Sequence, residues 1–344
     1  LNSRDYDDAI NEFKKSLNVM PESANTYLLL GICFHKKQNF ENAESYYISA
    51  SLKKDNYVEA FFNLANLYKD FGHAEKSEKY VNIAFKINPN LPQIYNINGN
   101  LSEMKNDLKS AVNHYLKAIS LNESYHEPIF NLSLIYLFTN HFKKGWKFYE
   151  KRWHNEAYLD KKMNTDRPYW SPGVSKNHKV TIWPEQGIGD FILMSRFLND
   201  LKNATNHITL LINHKLKPIF ARSFPDIEFV TELNKSTIDY HAPIGDLAKF
   251  YVNGFEDVKA RSDVYLKVDK SRTQKIKQLL PKSKKICGIS WVSKNESIGQ
   301  NKSMSLEDLK DFLLLPNITF VDLQYTDTSE ERAIFKEKYG VEIL

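Results

Sequence analysis

The stretch of this chain whose residue types can do chemistry is Trp183-Pro184-Glu185-Gln186-Gly187-Ile188-Gly189-Asp190-Phe191-Ile192-Leu193-Met194-Ser195-Arg196-Phe197. It reads as a strand, a turn with two glycines and the start of an apolar helix. Glycine lets a backbone approach a ligand closely, and a helix start offers unpaired N–H groups and the positive end of a dipole. The loop Glu185, Gln186, Gly187, Gly189 is therefore suited to a phosphate or a developing anion, and Asp190 adds a carboxylate at its end. Gly-x-Gly-Asp is shorter than a dinucleotide fingerprint, and an aspartate at this place also serves as a helix cap. The chain has no His-Glu-x-x-His, no Cys-x-x-Cys and no Gly-x-x-x-x-Gly-Lys-Ser/Thr, so zinc hydrolysis and P-loop chemistry lack their minimum parts. Its one Asp-x-Asp, Asp5-Tyr6-Asp7, lies in the N-terminal helical pattern, and His178, His207, His214 and His241 share no ligand spacing, most of them reading as surface or strand-end residues. No metal is expected.

The elements that must hold this turn are short and alternate in type. β-rich runs at His178–Trp183 and Ile208–Ile212 are separated by a helix over about 191–202 and followed by another helix, which is the order of a parallel sheet wrapped by helices. After a polar helix over about 271–280, a second set begins at Lys285-Ile286-Cys287-Gly288-Ile289-Ser290-Trp291. It continues with a helix near 306–314, a strand at 318–323, a helix near 330–339 and a final run at 341–344. A lobe opening at residue 285 has room for two or three strands only, so the sheet is expected to continue in sequence beyond Leu344.

The first half follows a different rule. Small residues recur at Ala9, Ala43, Ser77, Ala111 and Gly145, each 34 positions after the last, and a second series holds Gly31, Ala65, Gly99 and Ser133. Ala50, Ala84 and Ala118 form a third series. Large residues keep the same step, with Tyr27, Phe61 and Tyr95 in one series and Phe13, Tyr47, Tyr115 and Tyr149 in another. A helix pair of this size cannot bury its apolar face alone, so large side chains of one unit fill the space left by small ones in the next. Pro21 and Pro89 fall at turns, where a missing N–H is harmless.

Residues 1–150 resemble tetratricopeptide repeats. Asn66 and Asn100 occupy equivalent places, as do Asn63 and Asn131 two units apart. In the O-linked N-acetylglucosamine transferases, whose repeats these resemble, inner-face asparagines grip a peptide backbone, since an amide offers donor and acceptor together. The resemblance thus implies a protein or peptide in the repeat groove; a solvated concave face also carries polar residues for no such purpose.

Beyond the repeats, Glu-Gln-Gly-Ile-Gly-Asp with its Ser-Arg-Phe helix resembles bacterial repeat-containing glycosyltransferases of the two-Rossmann-lobe (GT-B) type, related to heptosyltransferases. The Trp146-Lys147-Phe148-Tyr149-Glu150-Lys151-Arg152-Trp153 junction, Arg167-Pro168-Tyr169-Trp170 and Gly288-Ile289-Ser290-Trp291 resemble the same family in the same order. The resemblance implies that Asp190 is the general base that takes the acceptor proton, as positive character develops at the sugar's anomeric carbon. It gives Lys302, before Ser303, contact with the donor diphosphate, and Lys294 a lesser share. The expected fold is an N-terminal tetratricopeptide solenoid followed by a Rossmann-like α/β glycosyltransferase region with an incomplete second lobe. Its parts are a solenoid over 1–154, a linker over 155–177, a first lobe over 178–270 and the start of a second over 271–344. The nucleotide-sugar enters as co-substrate, with no further cofactor. The alternative is a protein-binding scaffold with a transferase-like domain.

Bulk properties agree with two globular units. The 344 residues are 42% apolar, enough for real cores, and the net charge of +5 comes from 47 basic against 42 acidic side chains spread along the chain, so nucleic acid is not an expected partner. The two cysteines, Cys33 and Cys287, sit in apolar segments far apart, which suits thiols in a reducing compartment and leads to the expectation of a cytoplasmic protein. The longest apolar run, Tyr27 to Phe34, is broken by a glycine, so no transmembrane segment is expected.

Overall fold

The computed structural model describes residues 3–261, 263–281, 285–293 and 303–344. By its internal contacts the chain divides into two compact units, Leu1–Tyr265 and Leu266–Leu344.

The first unit opens with the helices α1 (Ser3–Val19), α2 (Ala24–Lys36), α3 (Phe40–Lys53), α4 (Val58–Asp70), α5 (Ala74–Ile87), α6 (Pro92–Met104), α7 (Leu108–Leu121), α8 (His126–Phe138) and α9 (Phe142–Tyr149). They pack as hairpins, α2 with α3, α4 with α5, α6 with α7 and α8 with α9. The repeating residues fall where the period requires. Ala43, Ser77 and Ala111, Ala65 and Ser133, and Ala50, Ala84 and Ala118 are all fully enclosed. Tyr47 and Tyr115 lie flat against the glycines of the preceding helix: a Cβ on Gly31 would stand 2.4 Å from Tyr47, and one on Gly99 2.3 Å from Tyr115.

The turns inside the hairpins repeat as well. Gln38, Gly72, Asn106 and Asn140, again 34 apart, hold φ of 57°, 79°, 59° and 63°. In each, the same pair of backbone bonds closes the preceding helix, as Asn39 N to Phe34 O and His73 N to Tyr68 O show. Three of the four are asparagine or glycine, which tolerate the left-handed region best.

A 3-10 turn, Glu150–His154, and the short α10 (Glu156–Leu159) end the array. The α/β part of the same unit holds β1 (Lys179–Trp183), α11 (Ile188–Met194), a 3-10 turn at Ser195–Phe197, α12 (Leu198–Ala204), β2 (His207–Leu211), α13 (Lys217–Ser223), β3 (Glu228–Val230), β4 (Tyr240–Pro243), α14 (Asp246–Tyr251) and α15 (Phe255–Lys259). All four strands are parallel, in the order β3-β2-β1-β4. Val180, Ile182, Leu210 and Ala242 have no exposed surface, the mark of a sheet covered on both faces. The helix expected over 191–202 is two helices joined by a 3-10 turn, and β3 and β4 were not expected: β3 has three residues, and β4 carries His241 and ends on Pro243.

Arg167-Pro168-Tyr169-Trp170 extends the sheet past β4, with His241 N bonded to Pro168 O at 3.1 Å and Trp170 N to His241 O at 2.8 Å. His241 is thereby a core residue, unlike the surface or strand-end place expected of most of the four histidines. Its Nδ1 accepts from Trp183 Nε1 at 3.0 Å and its Nε2 lies 3.1 Å from Arg167 O, an arrangement that needs the neutral ring protonated on Nε2. Burial accordingly lowers its pKa.

The second unit holds α16 (Lys270–Leu279), β5 (Lys285–Ile289), α17 (Lys310–Leu313), β6 (Ile318–Asp322) and α18 (Ser329–Tyr339). β5 and β6 are parallel, and Ile343 bridges to Phe320. Ile289, Trp291, Leu306, Leu313, Phe320, Phe335 and Ile343 form its core, with Trp291 Nε1 donating to Glu331 at 2.9 Å. Cys33 is buried and Cys287 half-buried, both as free thiols. Among the described residues no helix is long and apolar enough to cross a membrane.

The tyrosine-on-glycine contacts give a direct test of the repeat packing. Gly99→Ala gains helix propensity but drives a methyl into the Tyr115 ring, and the expected net effect is destabilisation by about 1–3 kcal/mol. Denaturant unfolding of Gly99→Ala, Tyr115→Leu and the double variant should give a favourable coupling of at least about 0.5 kcal/mol; additive effects would refute the contact.

Candidate functional site

Strands β1, β2 and β3 run outward on one side of the sheet, and the chain then returns to place β4 on the other side of β1. In open parallel sheets the crevice beyond the strand ends at such a reversal is where ligands bind. Here it lies between the ends of β1 and β4, where Trp183 and Pro243 are register partners. Glu185 follows β1 and Gly245-Asp246 follows β4, so two carboxylates meet at the crevice.

Between them stands Arg152, from the 3-10 turn that ends the repeat array and wholly enclosed. Its Nη2 donates to Glu185 Oε2 at 2.9 Å and to Asp246 Oδ1 at 2.6 Å, its Nε reaches Glu185 Oε2 at 3.2 Å, and its Nη1 reaches Tyr149 O at 3.3 Å. The guanidinium also lies 4.3 Å and 4.2 Å from the ring centres of Tyr149 and Trp153. The junction is completed by Trp146 Nε1, which donates to Val252 O at 3.0 Å, by Trp153 against Trp183, and by the Lys249–Glu150 ion pair.

One cation between two carboxylates leaves an excess negative charge inside the protein, which protonation of one carboxyl removes. Burial pushes Glu185 up to about 7; Arg152 opposes the rise, and the Asp246 charge adds to it. Glu185 Oε1 presses on Gly245, where a Cβ would come within 2.0 Å.

The rest of the turn runs from this cluster to the surface. Gln186 Nε2 donates to the Tyr149 hydroxyl at 2.7 Å. Gly187 is the N-cap of α11, and Ile188, Gly189 and Asp190 form its first turn, so Asp190 is not itself the cap residue. Asp190 is exposed, and its Oδ2 lies 3.4 Å from where a Gly187 Cβ would be; beside Gly189 there is open space. Burial raises the pKa of the Tyr158 phenol, and the charges of Glu185 and, less, Asp190 add to the rise. The structure thus brings Glu185, Gln186, Gly187, Gly189 and Asp190 to one strand end, with Glu185 turned inward to Arg152. Lys294 and Lys302 lie outside the described residues. Ser303 is half-buried, its Oγ accepting from Ser293 N at 2.9 Å.

The concave side of the array carries a groove of about 570 Å³ that runs from Lys36 through Asn66 and Asn96 to His126 and His154. Of the four expected asparagines, Asn66 lines it and bonds Asp70 at 3.3 Å. Asn63 donates to Glu59 O of its own helix at 2.8 Å. Asn131 donates to Asn100 at 3.1 Å and to Asn96 at 3.3 Å, and Asn100 also accepts from Tyr115. Sequence reasoning missed Gln93, His126 and His154 on this wall; none belongs to a repeating series. Arg152 was also missed as a site residue, for its partners lie 33 and 94 positions away.

The tetratricopeptide repeat family matches residues 58–91. Protein FlbA of Caulobacter vibrioides is 28% identical over 223 residues, 58% of this chain and 37% of that protein. Tetratricopeptide repeat-containing protein trd-1 of Caenorhabditis elegans is 27% identical over 36% of this chain and 16% of its own length. Protein O-mannosyl-transferase TMTC3 of Mus musculus is 23% identical over 40% of this chain and 16% of its own length. The chain thus spans little more than a third of the first of these relatives and about a sixth of the others. The similarity to FlbA covers more of the chain than the repeats occupy, so it reaches into the α/β region. Among solved structures, that of the APC/C hetero-tetramer Cut9-Hcn1 is 18% identical, with a TM-score of 0.42 over 46% of this chain and 34% of that one. That of a thermophilic TPR protein, TTC0263, of Thermus thermophilus is 17% identical, with a TM-score of 0.40 over 45% and 86%. The chain is a tetratricopeptide-repeat protein with a C-terminal parallel α/β region.

Two outcomes follow from the ion cluster. Arg152→Ala leaves two buried carboxylates without their cation and should cost about 3–5 kcal/mol at pH 8 by denaturant unfolding, and less at pH 5, where the carboxyls can take up protons. Glu185 has a folded pKa above its unfolded one, so its stabilising share is full below about 4.5 and is lost as pH rises through about 7. The unfolding midpoint of the wild type relative to Glu185→Gln should therefore fall between pH 6 and pH 8; a constant difference would contradict the raised pKa.

Proposed function

We propose that the repeat array holds a polypeptide in its groove and that the α/β region transfers a sugar from a nucleotide-sugar donor to a hydroxyl or amide on that polypeptide or on a glycan. The observation that supports this reading best is the exposed Asp190 carboxylate on a two-glycine turn at the end of β1, beside the crevice where open parallel sheets take ligands. In the proposed step the acceptor's hydroxyl oxygen, or its amide nitrogen, forms a bond to the anomeric carbon as its proton passes to Asp190. The bond from that carbon to the diphosphate oxygen breaks, and the nucleoside diphosphate leaves with the electron pair. Lys302, with a lesser share from Lys294, balances the charge of the leaving group, a task for a fixed cation where no metal serves. Ser303 adjoins this donor segment. The reading belongs to a cytoplasmic protein, where nucleotide sugars are at hand.

A second reading is a non-catalytic protein-binding scaffold. The observation that favours it is Arg152 itself, whose bonds to Glu185 and Asp246 occupy both carboxyls at the strand ends with an ion cluster.

The two readings part on one assay. Incubation with a panel of nucleotide sugars should release nucleoside diphosphate, and Asp190→Asn should slow release about 10²–10⁴-fold with donor affinity unchanged by calorimetry. Lys302→Ala should weaken that affinity. Absence of both binding and release across the panel would leave the scaffold.

A further inference from the structure

Between Lys267 and Lys285 the sequence holds eight basic side chains and one acidic, Asp269, while the rest of the chain holds slightly more acidic than basic ones. The positive charge is therefore gathered here and not spread evenly. Within the segment lies α16, Lys270–Leu279, whose start is capped by Asp269 Oδ1 accepting from Arg272 N at 2.9 Å. None of its residues is buried, and among the described residues no element packs extensively against it. Leu279 is 79% and Ile276 47% exposed. A helix this short is marginal in water by itself, so one with no buried side chain gains from an apolar neighbour.

Its cations also lack counter-charges. Among the described residues no carboxylate pairs with Lys270, Arg272, Lys275 or Lys277, whereas Arg332, Lys336 and Lys338 of α18 pair with Asp322, Glu342 and Glu307. At about 100° per residue, Arg272, Lys275, Ile276 and Leu279 share an arc of about 100°, and Lys270 and Lys277 fall across the helix. One face thus sets two cations around two aliphatic side chains.

That combination selects among anionic partners. Protein interfaces favour arginine and aromatic rings and are poor in lysine, and single-stranded nucleic acid is held on aromatic platforms. Residues 266–285 hold seven lysines, one arginine and no aromatic ring. A bilayer with anionic headgroups meets both features of the face: its surface attracts lysines without asking for a fixed geometry, and its acyl boundary takes up aliphatic side chains.

We propose that the face of α16 formed by Arg272, Lys275, Ile276 and Leu279 docks the chain reversibly on a membrane surface rich in anionic phospholipid. Leu279 and Ile276 enter the headgroup boundary, and Arg272 and Lys275 sit among the phosphates. This docking goes beyond the transferase reading and depends neither on it nor on the repeat groove.

Co-sedimentation of the whole chain with vesicles tests it. Vesicles of equal parts phosphatidylglycerol and phosphatidylcholine should retain the chain at low salt, pure phosphatidylcholine vesicles should not, and added salt should weaken retention by screening. A cation near an anionic surface is worth about fivefold in partition, so Arg272→Gln with Lys275→Gln should weaken retention about 25-fold. Leu279→Ser should weaken it at least about fivefold. Thermal unfolding should not change, because all three side chains are exposed. Lys270→Gln with Lys277→Gln, on the far side, should have a distinctly smaller effect. Equal retention on both kinds of vesicle, retention on neither, retention unmoved by Leu279→Ser, or equal losses from the two pairs of substitutions would overturn the proposal. Binding to polyglutamate without binding to vesicles would give the face to an acidic protein instead and overturn it too.

Discussion

One guanidinium, taken out of water at the end of a helical solenoid and set between two carboxylates of a parallel sheet, is the constraint on which the first unit depends. Arg152 is held from both sides by Glu185 and Asp246, and its guanidinium is within reach of both carboxyls. A buried arrangement of this kind adds little to stability compared with apolar packing, but it is costly to break, so it fixes geometry more than it adds strength. The surrounding contacts serve the same end. Gly245 leaves room for the Glu185 carboxyl, and Trp146 ties the last hairpin to the backbone after α14.

The consequence for function lies in two neighbouring side chains. Arg152 enters the sheet, while His154, two residues on, borders the groove. A single turn of chain thus connects the surface proposed to hold a polypeptide with the strand end that carries Asp190. Tyr149 does the same from α9, stacking on Arg152 while its hydroxyl accepts from Gln186 in the glycine turn. The array and the turn are therefore joined by buried polar contacts.

The solenoid was legible in the sequence because its packing rule is local and repeated. The Gly31–Tyr47 and Gly99–Tyr115 contacts are the same contact two units apart, and the left-handed turn residues share the same step. The parallel α/β order was legible from β1 and β2, whose apolar runs are continuous, but β3 is too short and β4 too polar to announce a strand. The site was half legible. The glycine turn and Asp190 are contiguous, so they could be read directly. Arg152 looks in sequence like one more cation in a basic junction, and only the fold brings Glu185 and Asp246 to it. The asparagines show the converse: a repeating position does not fix a role, for Asn63 bonds its own helix and Asn100 and Asn131 bond each other.

The central claim is that the last hairpin and the sheet form one cooperative structure through Arg152. Native-state hydrogen exchange, followed amide by amide under low denaturant, tests it most directly, because separate structures open with separate free energies. The account predicts that amides of α8, α9, β1 and β4 converge on one opening free energy. If the amides of α8 and α9 exchange through a lower-energy opening while β1 and β4 stay protected, the array is an independent module and the account is wrong.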